Sequence, residues 1–326
     1  MKAILSTFFA VLVVGAIAGC GGAAGKTLLT VDFQEGQTLR YRFVSNRQTT
    51  VDWGAAQGGS KSKQHKVDTF HEKMDMVVAY TPIEIDPYGS ATIKATYKSI
   101  KTSRSGQKHL RGSGNDPIET LVGKTFTFTV GPTGKIEDYS QMEALIRQAG
   151  EKAIRQSPSH GRIKDPDMTD DLIATQRFLW DSVSSMENPL EGIQVGQTWN
   201  SKLSIPTQMV LRKARNVTYT LDEIRPTEQG QIAVIRSSYS PAKSVPSNWP
   251  VAYTGRFQVS GHFGFLRGYR ITKLQGEGEE LFNIDTGRTE KYNQKYQMEL
   301  NCSMPMGLGG VIPITVKQNL TMQLLP

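Results

Sequence analysis

The strongest constraint on this chain is a two-residue hydrophobic alternation that recurs over most of its length. Successive side chains of a strand point to opposite faces, so the pattern demands sheets with one buried and one wet face. Leu39, Tyr41 and Phe43 alternate with Arg40 and Arg42, and Ile93, Ala95 and Tyr97 with Thr92, Lys94, Thr96 and Lys98. Phe126, Phe128 and Val130 alternate with threonines, and Val217, Tyr219 and Leu221 repeat the pattern, as do Phe257, Val259, Phe263 and Phe265. The longest run is Tyr292, Tyr296, Met298, Leu300 and Cys302, and the final stretch, 311–325, alternates as well. Turn signals separate the runs: Asp86-Pro87-Tyr88-Gly89, Gly131-Pro132-Thr133-Gly134, Glu228-Gln229-Gly230 and Asp285-Thr286-Gly287. Gly54–Gly59 and Lys101–Gly114 read as longer mobile loops.

The middle of the chain changes period. Ser140 followed by Glu143 fits a capping box, and Met142, Leu145, Ile146, Ala149 and Ala153 follow helical spacing up to Ser157-Pro158. A second helix is expected from Thr169, with Asp170 and Asp171 in its first turn and Leu172, Ile173, Leu179, Trp180 and Val183 on one stripe, stopping before Pro189. The expected fold is mainly β (α+β): a curved antiparallel sheet or half-barrel made from two β blocks, 28–140 and 191–326, with two intervening helices in 141–190. Both one sheet and two small domains fit the pattern. One continuous sheet is favoured, because the helices carry apolar stripes that need covering. Short signatures recur between the blocks. Gly36-Gln37-Thr38-Leu39 returns as Gly196-Gln197-Thr198-Trp199, and the Thr133-Gly134-Lys135 turn as Thr286-Gly287-Arg288. Their similar spacing suggests a duplicated β unit.

The N-terminus carries an address. Lys2 precedes an uncharged apolar run, Ile4 to Ile17, which is short for a bilayer span but suited to an export signal. Ile17-Ala18-Gly19-Cys20 then resembles the bacterial lipobox, in which an apolar residue and two small ones precede the lipidated cysteine. The resemblance implies cleavage between Gly19 and Cys20, residues 1–19 as signal peptide and residues 20–27 as lipidated cysteine and tether, with Gly21-Gly22-Ala23-Ala24-Gly25 supplying flexibility. Several acyl chains, each buried methylene contributing about 0.8 kcal/mol, would hold the protein on a membrane. Gly21 in place of Asp favours the outer membrane, facing the periplasm.

Only Cys20 and Cys302 are present among 326 residues, so no disulfide framework and no cysteine-based zinc site is expected. Cys302 lies on the apolar phase of its run and reads as a buried small hydrophobe. The formal charge of +8 suits anionic head groups or glycans, since an exported, tethered protein seldom meets nucleic acid. Lys101, Arg104, Lys108 and Arg111, with His109 among them, form an acid-free basic stretch, read either as a wet loop or as a contact for an anionic surface.

The sequence carries no catalytic signature. His65, His71, His109, His160 and His262 form no ligand-spaced pair, and no Gly-x-Ser-x-Gly elbow occurs. His71-Glu72 with Asp75 is the nearest approach to a metal cluster, but a strand would point Glu72 away from the other two. Gly276-Glu277-Gly278-Glu279-Glu280 lacks the ligand alternation of a calcium loop and reads as a wet turn. No catalytic residue, metal or cofactor is expected.

The Gly-Gln-Thr strand starts at Gly36–Thr38 and Gly196–Thr198, with the Pro132-Thr133-Gly134-Lys135 hairpin, resemble an uncharacterised family of bacterial lipoproteins. The order of strands, helices and strands is similar to the periplasmic lipoprotein carriers related to LolA and LolB, which implies an apolar space between sheet and helices. The functional expectation is a non-catalytic envelope lipoprotein that binds a lipid or other apolar ligand there. The alternatives are a scaffold that binds an envelope protein, or an unrecognised hydrolase.

Overall fold

The computed structural model describes residues 25–55, 67–105, 117–132, 134–138, 191–204, 214–244, 267–303 and 310–326, with single positions between 140 and 183. The alternating runs form eleven strands: β1 Leu39–Asp52, β2 Val67–Ile85, β3 Ala91–Ser105, β4 Thr125–Val130, β5 Ile136–Asp138, β6 Thr198–Ser204, β7 Ala214–Thr227, β8 Gly230–Pro241, β9 Arg267–Asn283, β10 Arg288–Ser303 and β11 Val311–Leu325. All belong to one open, curved antiparallel sheet in the order β5-β4-β3-β2-β1-β11-β10-β9-β8-β7-β6. Every neighbour in it is a sequence neighbour except β1 and β11, which pair from Arg40↔Leu325 to Val51↔Ile314. That one long-range ladder welds the two β blocks into a single sheet, and the segment between β5 and β6 links its two outer edges.

The two intervening helices are not supported. Among the described residues the one helix with defined ends is a 3-10 turn, Pro117–Leu121, placed before β4. Helical backbone is described at Ser140, Gln141, Ala144, Leu145 and Gln148 and again at Leu179, Trp180, Asp181 and Val183, and the rest of 141–190 lies outside the described residues. At Ser140 the Asp138 carboxylate accepts from the Ser140 N–H at 3.0 Å and from its hydroxyl at 3.4 Å, an Asx turn, and Glu143, the other member of the expected capping box, lies outside the described residues. Helical spacing marks a stripe that can pack but does not set helix length, because isolated short helices are marginal. The loop expected from Lys101 also begins later, since β3 continues to Ser105. Lys101 lies opposite Asp75 in the β2 ladder, so opposite charges sit across that pair.

The duplication suggested by the short signatures has a structural counterpart. Gly36 and Gly196 both take left-handed φ, 78° and 83°, in turns where Gln37 N–H donates to Gln34 and Gln197 N–H to Gln194, each at 3.0 Å. Each glycine then donates its N–H to the next strand, at Pro82 and at Leu221, and a bulge follows each acceptor, before Glu84 and before Glu223. The register exposes a longer repeat: Val78-Ala79-Tyr80-Thr81, with Glu84-Ile85 and Pro87, matches Val217-Thr218-Tyr219-Thr220, with Glu223-Ile224 and Pro226. On the partner strands Tyr97 opposite Val78 corresponds to Tyr239 opposite Val217. Strands β1–β5 therefore correspond to β6–β10, and β11 is the additional strand that joins the halves.

One face of the sheet is buried from edge to edge and carries the core: Tyr41, Phe43, Met76, Val78, Ile93, Tyr97, Val217, Tyr219, Leu221, Met298, Leu300, Ile314 and Met322 among others. Cys302 is part of it, unpaired in any disulfide, and burial pushes its thiol up to about 12. The stretch read as an acidic turn is the middle of β9. Leu274, Gly276, Gly278, Glu280 and Phe282 take the inward phase, and Glu277 points out to Lys295 at 2.6 Å. The two glycines leave room for the Tyr239 ring to lie across β9. A Cβ on Gly276 would sit 2.6 Å from Tyr239 Cδ2 and 2.7 Å from Tyr296 Cβ, and 2.6 Å from the Lys295 carbonyl. Gly276→Ala is accordingly expected to cost about 1–3 kcal/mol, read as a lower urea midpoint. An unchanged midpoint would mean that Tyr239 is not held as described.

Candidate functional site: the inner face of the sheet

Strand pairing places the inward residues in rows across the sheet, one step of about 4.8 Å per strand. One row runs Trp199, Tyr219, Ser237, Gly278, Gln294, Leu320, Ser45 and Met74 from β6 to β2. The adjacent row runs Ser201, Val217, Tyr239, Gly276, Tyr296, Gln318, Arg47 and Glu72. These rows form a polar belt across an otherwise apolar wall. On one side lie Leu221, Met322, Phe43 and Met76; on the other lie Leu274, Met298, Val316 and Phe70.

Most of the belt is internally bonded. Arg47 pairs with Glu72 at 2.6 Å. Gln318 donates to the Ser45 hydroxyl at 2.7 Å and accepts from the Tyr296 hydroxyl. The Tyr239 and Tyr292 hydroxyls lie 2.6 Å apart, Ser237 donates to Tyr239, and the Arg215 guanidinium stacks 4.8 Å above the Tyr239 ring. Among the described residues, neither amide atom of Gln294 is hydrogen-bonded, nor is the Trp199 Nε1, nor, off the belt on β3, the Tyr97 hydroxyl. Gln294 is only 4% exposed.

Beside the belt stands Glu280, fully buried, its one hydrogen bond among the described residues donated by the Thr289 hydroxyl. Burial pushes its carboxyl up to about 7, against the lowering effect of that hydroxyl. Burial likewise raises the Tyr41, Tyr80, Tyr97 and Tyr292 phenols far above the ordinary range, so these tyrosines stay neutral.

The segment between the two halves reaches one end of this face. Trp180 packs edge-on against Phe128 at 4.7 Å and Tyr80 at 5.0 Å, stacks on Phe33 at 6.0 Å, and donates its indole N–H to the Gly134 carbonyl. Three residues on, the Val183 carbonyl lies 3.4 Å from the Thr289 hydroxyl of β10. Leu179, Trp180 and Val183 are all buried.

Gly19 and Cys20 lie outside the described residues, as do Lys108, His109, Arg111 and His262. Lys101 is exposed on β3, and the Arg104 backbone lies on the same strand. Asp75 turns outward to Arg42, whose two nitrogens lie 3.0 and 2.6 Å from its carboxylate and hold its pKa down, while Glu72 turns inward to Arg47. The strand geometry thus separates the nearest thing to a metal cluster, and no group of three candidate ligands occurs among the described residues. Trp53 packs locally, donating to Asp68 at 2.8 Å. The residues that sequence reasoning missed are Glu280, Gln294, Ser237 and Tyr239. The signal was present in the alternation Leu274, Gly276, Gly278, Glu280, Phe282, where two small residues and one acid keep the apolar phase.

No protein-family model and no curated protein matches the chain. Thirteen chains of solved structures do match, among them a structure concerned with lipid–protein interactions in lipovitellin. That match has 11% identity and a TM-score of 0.45, over 90% of this chain and 26% of the other, so the chain spans about a quarter of that protein's length.

Proposed function

We propose that this protein is a membrane-anchored envelope lipoprotein, held through Cys20 and non-catalytic, whose curved sheet carries a lipid or another amphiphile on its inner face. The outer membrane, facing the periplasm, is the proposed location, and the uncharacterised lipoprotein family with Gly-Gln-Thr strand starts the proposed kinship. The observation that carries the binding reading is the inner face itself. Eleven strands at about 4.8 Å spacing make a wall roughly 50 Å wide, apolar on both sides of a polar belt. An acyl chain suits the apolar wall and a polar end suits the belt. Purification of the full chain from membranes in a detergent of distinct mass, followed by lipid extraction and mass spectrometry, tests this. Near-stoichiometric lipid beyond the chains on Cys20 is expected; its absence would count against binding and favour the partner-protein scaffold.

The basic residues Lys101, Arg104, Lys108 and Arg111 are proposed to meet anionic head groups, each worth about 1 kcal/mol at low salt. Changing Lys101, Lys108 and Arg111 together to Glu is expected to weaken attachment to anionic vesicles by at least about tenfold. Equal attachment by both proteins would remove that role.

A further inference from the structure

The two repeats provide an internal control on what the fold itself requires. Through the register, Phe128 opposite Ile93 corresponds to Glu280 opposite Ile235, and Phe126 opposite Ala95 corresponds to Gly278 opposite Ser237. The first repeat fills these positions with an aromatic wall: Phe126 and Phe128 lie 5.9 Å apart, and Tyr97 lies 5.5 Å from Phe126. The second repeat keeps an aromatic ring in Tyr239 where the first has Tyr97, but places Glu280 where the first has Phe128, Ser237 where it has Ala95, and Gly278 where it has Phe126. The architecture therefore accepts apolar side chains at the Glu280 and Ser237 positions, and the polar ones cost stability where they stand. A buried amide or carboxyl without full hydrogen bonding is unfavourable. Gln294 bears that cost at both amide atoms, and it lies directly across from Gly278 and diagonally from Glu280. Departures from an otherwise consistent apolar pattern concentrate at functional positions.

We infer that the inner-face patch of the second repeat, centred on Gln294 with Glu280 and Ser237 beside it, binds the uncharged, hydrogen-bonding end of a long-chain amphiphile, such as a hydroxyl- or amide-bearing head. This rests on the reading that the inner face holds an amphiphile, and it specifies which end sits where. Gln294 offers one acceptor and two donors, which matches a group that both gives and takes hydrogen bonds. A charged head would leave water for a buried site, which is far more costly. Along β10 the wall continues past the patch through Met298 and Leu300, with Leu274 on β9 and Val316 and Ile314 on β11 beside them. From Gln294 to Leu300 this is about 20 Å of strand, the length of an extended acyl chain.

The test uses the full chain and two probes of equal chain length, monoolein and 1-octadecene, with Gln294→Leu and the near-isosteric Gln294→Met as variants. Unfolding transitions establish that each variant is folded, and whichever folds is read. The wild type is expected to bind monoolein about tenfold more tightly than 1-octadecene, the effect of one or two satisfied buried hydrogen bonds. In the variant that preference is expected to vanish while 1-octadecene binding persists. Equal binding of the two probes by the wild type, or a preference untouched by the variant, overturns the head-group assignment and leaves lipid binding standing. Binding of neither probe overturns both readings.

Discussion

Cys20→Ser is expected to move the protein out of the membrane fraction and to reduce fatty-acid labelling to background. The lipobox reading makes the Cys20 thiol the sole attachment point, and a serine hydroxyl is not the nucleophile that lipid transfer uses. At about 0.8 kcal/mol per buried methylene, the loss of all chains removes far more than the basic surface can replace. Cys302 cannot substitute, because it is 1% exposed in β10 and burial raises its thiol pKa to about 12, which leaves almost no thiolate at neutral pH. The cleavage site is lost with the lipid, so the precursor should accumulate with its signal attached. Fractionation with metabolic palmitate labelling reads both effects. Full labelling of the Cys20→Ser protein would place the lipid elsewhere and end the anchoring proposal.

The second large effect concerns pH. The Glu280 carboxyl titrates near 7 in the folded chain against an ordinary value of 4.5. A carboxyl whose folded pKa is raised binds its proton more tightly folded than unfolded. Its proton is therefore no burden below about pH 4.5, and stability falls as pH rises through the window from 4.5 to 7, then levels off. The fall amounts to about 3 kcal/mol, from 1.36 kcal/mol per pKa unit. Glu280→Gln removes the ionisation and keeps the shape, so its stability should exceed that of the wild type by about this amount at pH 8 and match it near pH 4. The difference between the two denaturation profiles isolates Glu280 from carboxylates of the opposite sign, such as Asp75, whose pKa the Arg42 guanidinium lowers. A difference that stays constant between pH 4 and 8 would show that Glu280 is not buried as a titrating acid.

Much of the fold was legible because alternation maps onto burial residue by residue. Tyr41, Phe43, Ile93, Tyr97, Phe128, Tyr219, Met298 and Leu300 all face the core, as their phase implied. Turn chemistry placed the hairpins at Gly89, Gly134, Gly230 and Gly287, each with positive φ. The pairing of β1 with β11 was not legible, because long-range register depends on the fit of two whole faces and has no local signature. Two intervening helices are not supported, and Met142, Ile146, Ala149 and Ala153 of the expected stripe lie outside the described residues. The polar patch was hidden by composition. Gly276 to Glu280 resembles a turn until its phase is set against Leu274 and Phe282, and the cost of burying Glu280 and Gln294 becomes visible only with strand pairing known. The longer repeat around Tyr80-Thr81 and Tyr219-Thr220 lay in the sequence throughout, at a spacing different from that of the Gly-Gln-Thr pair because β1 and β2 are longer than β6 and β7.

The central claim is that an acyl chain lies along the inner face, and quenching of tryptophan emission by lipids carrying brominated chains tests it most directly. Trp180 packs on Phe128 and Tyr80 at one end of that face, and Trp199 stacks on Tyr219 near its far edge. Brominated monoolein is expected to quench the full chain well above the effect of free bromide, and Trp180→Phe and Trp199→Phe should each remove part of that quenching. Emission that responds to free bromide but not to the brominated chain, in the wild type and in both variants, would contradict an acyl chain on the inner face.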